Sequence, residues 1–267
     1  MARLALSRRD LLIALGGLVV FAAIGAFMLT RDLGYDRAYD PRVEAPTYTG
    51  EHPLVLFDEA HGQQHLSDRA FRPFVRALQS DGYRIEVNDE ALRAERLASV
   101  HALVIVGGAA ADAFSEAEAS VVTEWVLRGG SLLLVVEGEG VRSLAERFGV
   151  EFSDAAPTEP EHVFTGAGLG AHAITAAPQR ADPVVTFGAR AIRGPADAAQ
   201  LLKLEGVNGW AQSLAIRFGR GRVVILADAD MLRADRDEAG APIGMNRPDA
   251  ANRQFALNAM HWLTHLF

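Results

Sequence analysis

Four apolar runs of strand length, Leu54–Phe57, Ala102–Val106, Ser131–Val136 and Val223–Ala227, each stop abruptly at carboxylates or glycines. A strand with one wet face alternates polar and apolar residues, whereas a run that is apolar at every position is covered on both faces. That pattern demands a sheet sandwiched between helix layers. Helical stripes follow the first runs: Phe71, Phe74, Val75 and Leu78 after Ser67, then Val122, Trp125 and Val126 behind a capping box of Ser115 and Glu118. Tyr83, Ile85 and Val87 alternate with polar residues, which suits a sheet edge.

Strand, helix, strand in repeated succession implies right-handed crossovers and a mainly parallel sheet with helices on both faces. The expected fold is therefore α/β and flavodoxin-like, with strand order 2-1-3-4 and the final strand next. A helix is expected over 141–148. Residues 151–208 are cut by prolines and read as an insertion built on the sheet, with strands at Val184–Phe187 and Leu201–Leu204. Leu214–Phe218, Gly219-Arg220-Gly221 and Val223–Ala227 form a hairpin, followed by a polar loop to Asn252. A terminal helix then buries Phe255, Ala259, Trp262, Leu263 and Leu266 on one face.

The amino-terminal segment makes a different demand. Arg3, Arg8 and Arg9 precede the uncharged run Leu11–Thr30, which as a helix would cover about 30 Å, the thickness of a bilayer core. Two readings are open: a retained signal anchor, or a twin-arginine signal at Ser7-Arg8-Arg9-Asp10-Leu11-Leu12 removed near Ala23-Ile24-Gly25. Positive flanks stay inside, so either reading leaves the remainder outside the cytoplasm, at the inner membrane in a single pass if the anchor is kept. The expected plan is a transmembrane helix at 1–30, a proline-punctuated linker at 31–52 and one domain at 53–267.

Composition removes several functions. The net charge of −8 opposes nucleic-acid binding. Cysteine is absent, which excludes disulfides, thiolate metal sites and cysteine nucleophiles. There is no G-x-S-x-G elbow, Walker lysine loop or H-E-x-x-H pair, and no cofactor is indicated. Gly166-Ala167-Gly168-Leu169-Gly170 is glycine-rich but does not lie between a strand and a helix.

In an open parallel sheet the carboxyl ends of the strands share one rim, where ligands bind. That rim receives Asp58, Glu59, His61 and Gln63 from the first strand, Gly107 and Gly108 from the third, Glu137 from the fourth and Asp228 from the last. Each has a structural alternative. The aspartates can cap loops, Glu137 can be merely solvated, and the glycines can only turn the chain. A hard cation on Asp58, Glu59, Asp228 and Asp230 is a further alternative.

Phe57-Asp-Glu-Ala-His-Gly-Gln63, Gly107-Gly108, Trp125-Val-Leu-Arg-Gly-Gly-Ser-Leu-Leu-Leu134, His172-Ala-Ile-Thr175, Gly221-Arg-Val-Val-Ile-Leu-Ala-Asp228 and Asn252-Arg-Gln-Phe-Ala-Leu-Asn258 occur in this order. Together they resemble a bacterial family of unknown function in the class I glutamine amidotransferase-like superfamily, related to domains of gliding-motility and intraflagellar-transport proteins. The resemblance spans 53–267. It implies a flavodoxin-like sheet, a carbohydrate-binding role and, for membrane-anchored relatives, association with AAA-type ATPases or ABC transporters. Amidotransferases carry a cysteine on the elbow after a central strand, where this chain has Glu137-Gly138-Glu139-Gly140, so glutamine hydrolysis by that route is excluded. The reading that results is a membrane-anchored, extracytoplasmic, non-catalytic module binding a sugar-like or other polar ligand, or a partner protein. Its alternatives are a hydrolase with His61 or Glu59 as general base, and a structural subunit of an envelope complex.

Overall fold

A computed structural model describes residues 35–61, 67–107, 114–155, 159–176, 179–207 and 209–267. The expected transmembrane run, Gln63 and Gly108 lie outside the described residues. Among the described residues no helix is long and apolar enough to cross a membrane.

The elements in chain order are β1 (Leu54–Asp58), α1 (Arg72–Ser80), β2 (Arg84–Asn88), α2 (Ala94–Leu97), β3 (Ala102–Val106), α3 (Glu116–Leu127), β4 (Ser131–Val135), α4 (Arg142–Arg147) and β5 (Glu151–Phe152). They continue with β6 (His162–Phe164), α5 (Ala173–Ala176), β7 (Val184–Thr186), β8 (Ile192–Arg193), β9 (Ala199–Lys203), β10 (Ala211–Phe218) and β11 (Gly221–Leu226). The chain closes with β12 (Ala234–Arg236), β13 (Pro242–Gly244) and α6 (Asn252–Leu263). The main sheet runs β2-β1-β3-β4-β11-β10-β8-β5, with β9 also on β10. Strands β2, β1, β3, β4 and β11 are parallel, and β10, β9, β8 and β5 join antiparallel. This is the expected order, with the last strand beside β4.

Alternate residues of the apolar runs feed two cores. Val55, Phe57, Val104, Val106, Leu133 and Val224 meet Phe74 and Leu78 of α1 and Phe255 and Trp262 of α6. Leu54, Leu56, Leu103, Ile105, Leu132 and Ile225 meet Val122 and Val126 of α3 and Leu144 beside Phe148. Both faces are therefore dry, which is why these strands show no alternation.

Several local expectations are corrected. The helix after β1 starts at Arg72 rather than Ser67, because Pro73 sits in its first turn, where a missing N–H costs no bond. Val184–Thr186 pairs with β6 in a separate two-stranded ladder, outside the main sheet. The loop before Asn252 contains the β12–β13 hairpin. Trp125 is only partly buried. Leu266 is 46% exposed, since α6 stops at Leu263 and His265 turns the chain with φ of 62°. Residues 35–52, expected as a spacer, lie along the domain: Tyr39, Val43 and Tyr48 pack on the core of α1 and α6.

Candidate functional site

The rim residues fall into two clusters. The first gathers at the end of β1. Asp58 is buried, and its Oδ1 accepts a 2.9 Å bond from Asn88 Nδ2 at the end of neighbouring β2. Its Oδ2 lies 2.7 Å from His61 Nδ1. The other ring nitrogen, Nε2, is 3.0 Å from Glu118 Oε1. Glu118 is the capping-box residue of α3, so one carboxylate closes the helix start and clamps the loop after β1. The His61 ring stacks on Phe114 at 3.7 Å between centroids.

A ring with an acceptor at each nitrogen is fully satisfied only as the imidazolium. Burial works against that charge, but hydrogen bonding and attraction from Asp58, with Glu118 adding to them, raise the His61 pKa above its ordinary value. Burial likewise opposes the charge on Glu118, while bonds from Ser115, the proximity of His61 and the Leu92 amide lower its pKa. Glu59 is buried and accepts the Ser67 N–H at 2.7 Å, pinning the far end of the loop.

The second cluster lies at the ends of β4 and β11. Asp228 is 3% exposed and accepts main-chain N–H bonds from Phe187 at 2.8 Å and Asp230 at 2.9 Å. Burial pushes its pKa up to about 8, with Asp230 and Glu137 adding repulsion against the two amides. Desolvation and Asp230 raise Glu137 as well, partly offset by Arg233. Both line a cavity of about 210 Å³ walled by Glu139, Arg142, Phe152, Phe187 and Arg190. Asp58 and His61 are absent from its lining, so the expected single rim site is divided.

Gly107 lies between the clusters. Its N–H donates to Val135 at 2.9 Å, so this amide continues the sheet instead of opening toward a ligand. The four carboxylates considered for a cation are split between the clusters. The cavity residues Arg142, Phe152, Phe187 and Arg190 were not among the expected site residues; they come from α4 and the insertion, which carry no recognisable motif.

The turn leaving β4 has the strand-to-helix form that presents a nucleophile in elbow enzymes. Its left-handed position, with φ of 82°, is Gly138, followed by a 3₁₀ turn at Glu139–Val141. The strained position thus carries no side chain.

The raised pKa of Asp228 predicts a pH effect. The native state holds this proton more tightly than the unfolded chain, so the contribution of Asp228 to stability is fully present below the carboxyl's ordinary range and is lost as pH rises from about 4 to about 8. Urea midpoints measured from pH 5 to 9 should decline through that window, and Asp228→Asn should flatten the decline. His61, raised above 6.5, also loses its contribution as pH rises, but from near neutrality upward.

Residues 54–153 match the family model described as the IFT52 GIFT domain. No curated protein matches the chain. Among solved structures, the mmIFT52 N-terminal domain is similar at 15% identity and a TM-score of 0.58, over 79% of this chain and 97% of that one. A GMP synthase-type protein from Thermoplasma acidophilum is similar at 12% identity and a TM-score of 0.50, over 80% of this chain and 96% of that one. A ThuA-like protein from Bacteroides uniformis is similar at 13% identity and a TM-score of 0.50, over 85% of this chain and 95% of that one. These likenesses show the fold, an α/β domain shared with these structures, and residues 54–153 are similar to the IFT52 GIFT domain.

Proposed function

We propose that this chain is a non-catalytic binding module of a membrane-associated protein complex, held by its apolar amino-terminal run with the domain outside the cytoplasm. The observation that carries the non-catalytic reading is the elbow after β4, where the nucleophile position is Gly138. The general-base alternative is weakened by His61, whose two ring nitrogens both face carboxylates within 3.0 Å. The match of 54–153 to the IFT52 GIFT domain supports a role in protein assembly rather than turnover.

The cavity above Asp228 is the binding element in this reading. A carboxyl with a pKa of about 8 is largely protonated at neutral pH and can donate a hydrogen bond. Glu137 and Glu139 accept, the nearby arginines donate, and Phe152 and Phe187 supply apolar surface. That combination suits a sugar-like or other hydroxyl-rich group, free or carried by a partner such as an envelope ATPase or transporter.

Calorimetric titration of the purified full chain with neutral and amino sugars tests the cavity. Binding lost in Asp228→Ala but kept in His61→Ala is the expected result. Glutaminase, esterase or glycosidase turnover by the same preparation, abolished by His61→Ala, would overturn the non-catalytic reading.

A further inference from the structure

Trp262, near the end of α6, is surrounded by groups that can carry positive charge. The guanidinium of Arg222 lies 5.0 Å and that of Arg217 6.0 Å from the indole centroid. The His172 ring stands edge-on at 5.1 Å. Arg217 and Arg222 are directly opposed in the β10–β11 ladder, a placement in which like charges destabilise a hairpin.

Arg222 donates to the main-chain oxygens of Trp262 and Phe267, while its buried Nε has no partner among the described residues. Arg217 is exposed, and among the described residues its side chain makes no hydrogen bond or ion pair. Burial, Arg217 and Arg222 together lower the pKa of His172, and the same influences lower His265. No carboxylate side chain pairs with any of these four groups among the described residues. Other arginines of this acidic chain do find carboxylates: Arg233 bridges Asp230 and Asp235, and Arg247 bridges Glu161 and Asp249.

Arg222 is in register with Ser131 at the start of β4, so the cluster lies at the pole opposite Asp58 and Asp228. We propose that Arg217, Arg222 and His172 form a docking point for a carboxylate-rich segment of a partner protein. Paired guanidiniums suit carboxylates bidentately. Trp262 is only 2% exposed and offers no open face on which a nucleobase could stack. A long polyanion or an anionic bilayer would also meet the rest of a surface whose net charge is −8, whereas a short acidic segment would not. This docking point is independent of the cavity above Asp228.

The test is fluorescence anisotropy of a labelled hexaglutamate peptide with the full chain at about 0.15 M salt. Saturable binding is expected, weakened about tenfold or more by Arg217→Glu and unchanged by Arg84→Glu on the far edge strand. Because the Arg217 side chain makes no hydrogen bond or ion pair among the described residues, and its reversal replaces a like-charged cross-strand pair with an opposite one, the thermal melt should not fall. Absence of saturable binding, or equal loss in both variants, would overturn the proposal. So would Arg217-dependent binding of pyrophosphate or phosphatidylglycerol vesicles without binding of the peptide.

Discussion

Asp81→Ala is expected to destabilise the domain by about 2–6 kcal/mol, because one buried and one partly buried donor lose their acceptor at about 1–3 kcal/mol each. Asp81 is 1% exposed at the stop of α1. Its Oδ1 accepts the Thr47 N–H at 2.9 Å, and its Oδ2 takes His261 Nε2 at 2.6 Å. The Asp81 carbonyl also accepts the Tyr48 N–H at 3.0 Å, and the Tyr48 hydroxyl reaches Thr264 Oγ1 at 2.7 Å. One carboxylate therefore joins the 43–48 strap, α1 and α6. Urea denaturation should show a lower midpoint, and hydrogen exchange at amides 47 and 48 should quicken. Asp81→Asn, which keeps one acceptor oxygen, should lose less. An unchanged midpoint in Asp81→Ala would mean that the strap is held by Tyr48 and by the Val43 N–H bond to Ser80.

Gly107→Ala should cost about 3 kcal/mol or more, at or beyond the upper end of ordinary overpacking. A Cβ there would overlap the Glu137 carbonyl oxygen, and the obstruction is main chain, so no rotamer change relieves it. The ends of β3 and β4 would have to separate, displacing Glu137 toward the β11 side, where Asp228 lies. The variant should thus lower the urea midpoint and also change the pH dependence assigned to Asp228. Gly50→Ala is the contrast: nothing lies within 4 Å of its added carbon, and its midpoint should not move.

The sheet was readable because its central strands are dry on both faces. Leu54–Phe57 or Ala102–Val106 has no other comfortable environment, and chirality then limits the connections. Short elements gave no such signal. Ala234–Arg236 and Pro242–Gly244 are three-residue strands, too short to show a period, and their pairing depends on tertiary placement. The site was legible only in part for a related reason. Asp58 and His61 are three residues apart, so their contact was accessible from local spacing. Glu118 joins them from 57 positions away, and its visible signature was a helix cap. A shared rim places strand ends on one side of a sheet, but it does not say which ends share a cavity. The separation of β1 from β4 and β11 proved enough to divide the acids.

Asn252 has a consequence for how this fold keeps to itself. Its side-chain Oδ1 accepts the Val185 N–H at 2.9 Å, and its Nδ2 donates to the Val185 carbonyl at 2.7 Å. A primary amide presents a donor and an acceptor side by side, as a peptide group does, so Asn252 occupies the place of a neighbouring strand along β7. A short ladder standing apart from the main sheet would otherwise offer a template on which a foreign chain could assemble. One side chain at the head of the last helix thereby serves as a built-in chain terminator for β-assembly.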